Sequence, residues 1–159
     1  MGEGIEIHGR RVVKSRNYYA ESRRLREEAM SIAEAINKKP MRFRLTNGIS
    51  MNVEISKSDI KTIVSKYTKD EKFNAFKNAL AKDIKGFLKK GTYEGWRESD
   101  QNRHSEAAYF AYFSRKMNAK AYLCVRKMKG SGVFKPYAII NQTMFDHEAK
   151  NIKKGKPPR

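Results

Sequence analysis

Three histidines, His8, His104 and His147, are the side chains suited to move a proton near neutral pH. RNA can be cut without metal when the ribose 2′-hydroxyl attacks the adjacent phosphate. That reaction needs a proton acceptor, a proton donor and cations around the charged intermediate. His104 stands beside Arg103 and near Arg97, and His147 follows the last strand-like stretch, which makes both candidate catalytic residues. Arg115, Lys120, Arg126 and Lys127 stud the same half of the chain. A surface that only binds nucleic acid has the same composition, so Arg97, Arg103, Arg115, Lys120 and Lys127 are equally candidate phosphate ligands. In Tyr109-Phe110-Ala111-Tyr112-Phe113-Ser114-Arg115 rings alternate with small and cationic residues. Tyr112 is the ring singled out for stacking on a base, whereas packing in a core accounts for most of the others.

Other chemistries lack their residues. No GxxxxGK[ST] loop, GxGxxG, HExxH or paired CxxC occurs. The histidines are far apart and Cys124 is the only cysteine, so no metal-ligand spacing and no cofactor are implied. The sheet-forming half offers few carboxylates for a two-metal site beyond Glu94, Glu98, Asp100 and Glu106. Leu123 and Val125 flank Cys124 and suggest a buried structural thiol. A lone cysteine points to a reducing compartment, and the expected location is cytoplasmic.

Charge sets the partner. Thirty-five Lys and Arg face seventeen Asp and Glu among 159 residues, a formal charge of +18. Self-repulsion of that size is relieved by a polyanion that exchanges its counterions for protein cations. RNA is favoured over DNA as that partner, and the alternative is an acidic host protein. No cationic helix with a Trp- or Leu-rich face and no long apolar stretch is present, so no membrane partner is expected.

The elements that must position these residues follow from periodicity. Residues 1–16, with Arg10, Arg11, Lys14 and Arg16, read as a flexible basic arm. From Asn17, Leu25, Ala29, Ile32, Ala33 and Ile36 share a helical face, which ends before Pro40. Met41, Phe43 and Leu45 alternate with arginines, then Ile49, Met51, Val53 and Ile55 alternate with polar residues, the pattern of a hairpin. A two-residue Asn47-Gly48 turn would set Phe43 opposite Asn52. A three-residue loop, with Gly48 left-handed, sets Phe43 opposite Met51 and keeps each face uniform, so this register is preferred. Ser56 or Ser58 caps a short helix with Ile60, Ile63, Val64 and Tyr67 in one stripe. One longer helix follows from about Lys69, burying Phe73, Phe76, Leu80, Ile84, Phe87 and Leu88 and closing at Gly91. Thr92–Arg97, Tyr109–Arg115, Lys120–Lys127 and Val133–Ile140 are expected strands; Glu106 to Met117 also permits a helix. The expected class is α+β, with N-terminal helices and a hairpin before an antiparallel sheet of about four strands. Residues 17–149 form the domain and 150–159 a disordered basic tail, while the hairpin either joins the sheet edge or forms its own layer.

Several of these stretches together resemble a known family. Ile55-Ser56-Lys57-Ser58-Asp59-Ile60-Lys61 is followed by Tyr93-Glu94-Gly95-Trp96-Arg97, by Tyr109-Phe110-Ala111-Tyr112-Phe113, by Ala121-Tyr122-Leu123-Cys124-Val125-Arg126 and by Pro136-Tyr137-Ala138-Ile139. This order, over Met41 to Asn141, is similar to domains of large phage and mobile-element polyvalent proteins related to the barnase, EndoU, colicin and RelE-like nuclease fold. The resemblance implies two helices before a four-stranded antiparallel sheet, and RNA cleavage without metal from the sheet's open face. A barnase-like branch implies a carboxylate base, an arginine and a late histidine, for which Glu106, Arg126 and His147 are the candidates here. Three functions stand as expectations: a metal-independent ribonuclease, a nucleic-acid-binding protein without catalysis, or a phage-type interaction or inhibitor protein that docks on an acidic host protein.

Overall fold

Asn17 accepts the Ala20 amide on its side chain and so starts α1 (Tyr18–Glu34), which buries Ser22, Leu25, Ala29 and Ala33. Ile32, expected on that face, stays 39% exposed because the buried stripe is narrower than the apolar one. The computed structural model describes residues 4–7, 10–13, 17–36, 40–44, 50–99, 104–155 and 157. Within the N-terminal segment read as an arm, β1 (Gly4–Ile7) and β2 (Arg10–Val13) pair antiparallel.

The hairpin β3 (Pro40–Arg44) and β4 (Ser50–Glu54) takes the preferred register: Phe43 faces Met51 and Met41 faces Val53. Its loop, Gly48 included, lies outside the described residues. Ser56 then closes a capping box with Asp59 and opens α2 (Lys57–Ser65). The single long helix expected next is two, α3 (Glu71–Ala81) and α4 (Ile84–Lys90). Asp83 breaks it by accepting the Gly86 amide and starting a fresh helix, a local competition that hydrophobic periodicity does not register.

Four antiparallel strands follow: β5 (Thr92–Glu98), β6 (His104–Ser114), β7 (Ala119–Met128) and β8 (Val133–Ile140). The ambiguous stretch from Glu106 is therefore strand. The sheet is wider than the four strands expected. Asn52 and Val53 pair parallel with Val133 and Phe134, which attaches the hairpin and gives a six-stranded order β3-β4-β8-β7-β6-β5. The class is α+β, as expected.

Alternation along the central strands makes two cores. One face, with Ala108, Phe110, Leu123 and Val125, packs on residues of α1 to α4. The other, with Ala107, Tyr109, Tyr122 and Cys124, packs under Phe145 of α5 (Gln142–Ala149), a helix the sequence reading lacked. The Phe145 ring stacks on Tyr122, centroids 3.7 Å apart. The face that the family resemblance left open thus carries a helix.

The C-terminal segment read as a disordered tail docks beyond α5. Lys153 exchanges two backbone hydrogen bonds with Trp96, at 2.6 and 2.9 Å, and the Tyr93 hydroxyl donates to the Gly155 carbonyl at 2.7 Å. Gly95 permits this approach. Its φ is 128°, and a Cβ there would lie 2.5 Å from the Lys153 carbonyl oxygen.

Candidate nucleic-acid interface

The β6–β7 hairpin ends in a turn at 115–118, and its tip gathers cations around one uncovered ring. Phe113 is 53% exposed and lies directly opposite Lys120, itself exposed. Arg115 and Lys116 occupy the turn, both exposed. Lys89 and Lys90, in the last turn of α4, approach from the β5 side, where Thr92 pairs with Ala111. Strand alternation places Phe113 on the same face as Tyr109 and Ala111, but beyond the cover of α5. Tyr112, the ring expected to stack on a base, points the other way and packs against Phe87, centroids 5.6 Å apart.

A second cationic feature is enclosed. A cavity of about 340 Å³ opens where the α2–α3 connection meets β8 and α5, lined among others by Lys66, Tyr67, Lys77, Arg126, Tyr137 and Glu148. A bulge builds one wall. Cys124 pairs with Ala138 and Val125 with Pro136, so Tyr137 is the extra residue, and its ring leaves the ladder to meet cations. The Arg126 guanidinium carbon lies 3.6 Å from the ring centroid and Lys66 Nζ 4.1 Å. The connection itself is held by Asn74, whose amide donates to the Thr68 carbonyl and whose oxygen accepts the Thr68 amide.

Lys77 and Arg126 are both almost wholly inside. Lys77, 2% exposed, donates through Nζ to the carbonyls of Ile63 (2.9 Å) and Lys66 at the C-terminal end of α2, where the Ile63 carbonyl otherwise accepts only the Lys66 amide, at 3.4 Å. Burial, with Lys66 and Arg26 nearby, lowers its pKa from 10.5 to about 8. Arg126 is 7% exposed, and among the described residues its Nε and Nη1 meet no acceptor. Glu148 accepts from Arg97 through one oxygen, at 3.2 Å; its other oxygen is buried and meets no donor at close hydrogen-bond geometry, although the Tyr109 hydroxyl interacts with the same carboxylate. Arg97 also donates to the Tyr109 hydroxyl at 2.7 Å. Burial holds that phenol well above its ordinary pKa, so it stays protonated. Burial likewise pushes the Cys124 thiol up to about 11, the behaviour of an inert core cysteine.

The sequence-derived candidates are scattered over this frame. Glu106 and Lys127 pair with each other at 2.7 Å, their side chains 9% and 7% exposed, which leaves neither available to a phosphate or a proton relay. They lie on the α1–α4 face, whereas Arg126 lies on the α5 face, so Glu106 and Arg126 do not share a site. His104 begins β6, and its side chain is outside what is described, as is all of Arg103. From His104 to the tip the strand runs roughly 30 Å at 3.3 Å per residue. His147 is exposed in the last turn of α5 and does not line the Arg126 cavity. Arg97 borders a separate open groove of about 490 Å³ formed with the docked tail. Arg115 and Lys120 alone of the candidates meet at the tip. Phe113, Lys77, Tyr137 and Glu148 were not singled out. Lys77 had a readable signal, since it occupies an apolar position of the Phe73, Phe76, Leu80, Ile84 helical stripe.

Among the described residues no three His, Cys, Asp or Glu side chains gather as metal ligands, and no helix is long and apolar enough to cross a membrane. No family model, curated protein or solved structure matches the chain.

Proposed function

We propose that this protein binds single-stranded RNA through the β6–β7 tip, in the cytoplasm. The observation that carries this reading is Phe113, an exposed ring opposite Lys120 and flanked by Arg115 and Lys116. A large apolar ring in water stacks on a base without regard to its identity, while flexible cations follow the phosphates. The charge balance supports the same reading. Several acids already hold cations, as Glu34 holds Lys57 and Lys61 and Glu28 holds Arg24 and Lys82. The excess of +18 therefore has no counterpart in the chain. Cleavage receives less support from the geometry, because Glu106 is consumed by Lys127 and His147 stands apart from Arg126.

Incubating the protein in EDTA with end-labelled RNA and DNA separates these readings. Retarded, intact RNA is the expected result. Fragments with cyclic-phosphate ends would restore the ribonuclease reading. Failure to retain either nucleic acid at low salt would favour an acidic protein as the partner.

A further inference from the structure

A guanidinium more than nine-tenths buried with two nitrogens that meet no acceptor is costly unless something brings acceptors to it. Arg126 is in that position: among the described residues Nε and Nη1 meet no acceptor at close hydrogen-bond geometry, and the guanidinium stands over the Tyr137 ring and beside the Cys124 thiol, a weak acceptor. The same cavity holds a reciprocal deficit, a buried Glu148 oxygen that meets no donor at close hydrogen-bond geometry and has only the Tyr109 hydroxyl acting on its carboxylate besides Arg97. Arg126 and Glu148 form no ion pair with one another, so the two deficits are not cancelled inside the protein. A ligand that removes both must offer acceptors at one end and a hydroxyl or N–H donor at the other.

The remaining lining narrows the choice. Three cations, Lys66, Lys77 and Arg126, stand against one carboxylate, leaving two positive charges in excess. A phosphate monoester carries about −1.5 to −2 at neutral pH, which matches that excess. Its oxygens suit the fork of an arginine, the strongest pairing of this kind. Glu148 accepts but cannot donate when ionised, so it selects a hydroxyl-bearing neighbour of the phosphate. Ile139 and Met144 supply apolar wall, and Tyr67, 47% exposed, stands at the rim as a ring for a planar base. About 340 Å³ falls within the range of small-ligand sites.

We infer that this cavity binds one ribonucleotide unit, its phosphate on Arg126, Lys66 and Lys77 and a ribose hydroxyl on Glu148. The unit can be a free mononucleotide or the phosphorylated end of an RNA chain; the chemistry is the same. The site uses none of the tip residues, and its failure would leave the tip reading intact.

Calorimetry with adenosine 5′-monophosphate, 2′-deoxyadenosine 5′-monophosphate and inorganic phosphate tests it. Adenosine monophosphate is expected to bind in the micromolar to submillimolar range, the deoxy form several-fold more weakly, and inorganic phosphate at least tenfold more weakly. Arg126→Gln should reduce adenosine monophosphate affinity by tenfold or more, with the thermal unfolding transition retained. Lys66→Gln, at an exposed residue, should reduce it about threefold, which keeps the test valid if Arg126→Gln unfolds. A pair of oligoribonucleotides differing only in a 5′-phosphate distinguishes the sources. Preference for the phosphorylated oligomer over the mononucleotide assigns the site to a chain end, and the reverse assigns it to free nucleotide. No heat with any of the three ligands at millimolar concentration would overturn the proposal. So would equal affinity for inorganic phosphate and mononucleotide, or binding untouched by both substitutions.

Discussion

The tip and the cavity use the same residue types under opposite conditions. At the tip Arg115, Lys116 and Lys120 are solvated, and keeping them charged costs the fold little. In the cavity Lys77 and Arg126 have surrendered most of their water, one to helix-end carbonyls and one to an aromatic face. Solvated charge is adaptable, acts at long range and weakens with salt. Desolvated charge is fixed, short-ranged and specific, because an unmatched group inside is expensive. The contrast separates sequence-independent attachment from recognition of one defined chemical unit.

The largest expected effect concerns the tip. Replacing Arg115, Lys116 and Lys120 together by Gln should weaken RNA retention about 100-fold at low salt, and Phe113→Ala alone by roughly 1–3 kcal/mol, the worth of one stacked base. Filter binding measures both, and an unchanged affinity for the triple variant would remove the tip from the interface.

Next is Gly95→Ala, which meets both a left-handed φ and the Lys153 backbone. It should cost about 1–3 kcal/mol in urea denaturation and expose the segment after α5 to limited proteolysis. A wild-type digestion pattern would mean the tail does not dock on β5. Because neither the tip nor the cavity includes Lys153, both binding activities should survive this change.

Lys77 gives a smaller, pH-dependent signature. Its folded pKa of about 8 lies below the unfolded value near 10.5, so the unfolded chain holds more protons between these limits. The parent's penalty for burying the charge is complete below pH 8 and disappears as pH rises toward 10.5. Lys77→Met should therefore be the more stable protein at pH 7, and the gap should close across that window. Comparing the two proteins cancels Tyr93, Tyr109 and Cys124, which burial holds protonated in the fold and which contribute the opposite slope. A gap independent of pH would mean that Lys77 is not charged in the cavity.

The smallest effect is an expected silence. Cys124, buried with its pKa near 11, should resist a thiol reagent at pH 8 until the protein is unfolded. Rapid labelling of the native protein would show the core under α5 to be open.

Local pattern carried much of the fold into the sequence. Phe43 opposite Met51 follows from keeping apolar residues on one face, and the Ser56 cap from a side chain beside its own backbone. What escaped depends on contacts distant in sequence. The parallel pairing of Asn52 and Val53 with β8 leaves no local trace, and it is what widens the sheet. Asn141 caps α5 by accepting the Met144 amide, yet the helix buries only Phe145 among its own residues, so its apolar period is weak. Without α5 neither Glu148 nor the enclosure of Arg126 was visible. Arg126 was singled out for its charge, and its lack of acceptors is a property of three dimensions.

The most direct test of the two-region account is the salt dependence of RNA binding for the parent, the tip triple variant and Arg126→Gln. If about five phosphates are neutralised, the parent's log–log slope should lie near −3.5 to −4.5. Removing three solvated cations should make it shallower by about 2, whereas Arg126→Gln should lower affinity for 5′-phosphorylated RNA with a slope change below about 1. A flat parent dependence, or equal slope changes in both variants, would contradict the division between solvated and buried cations.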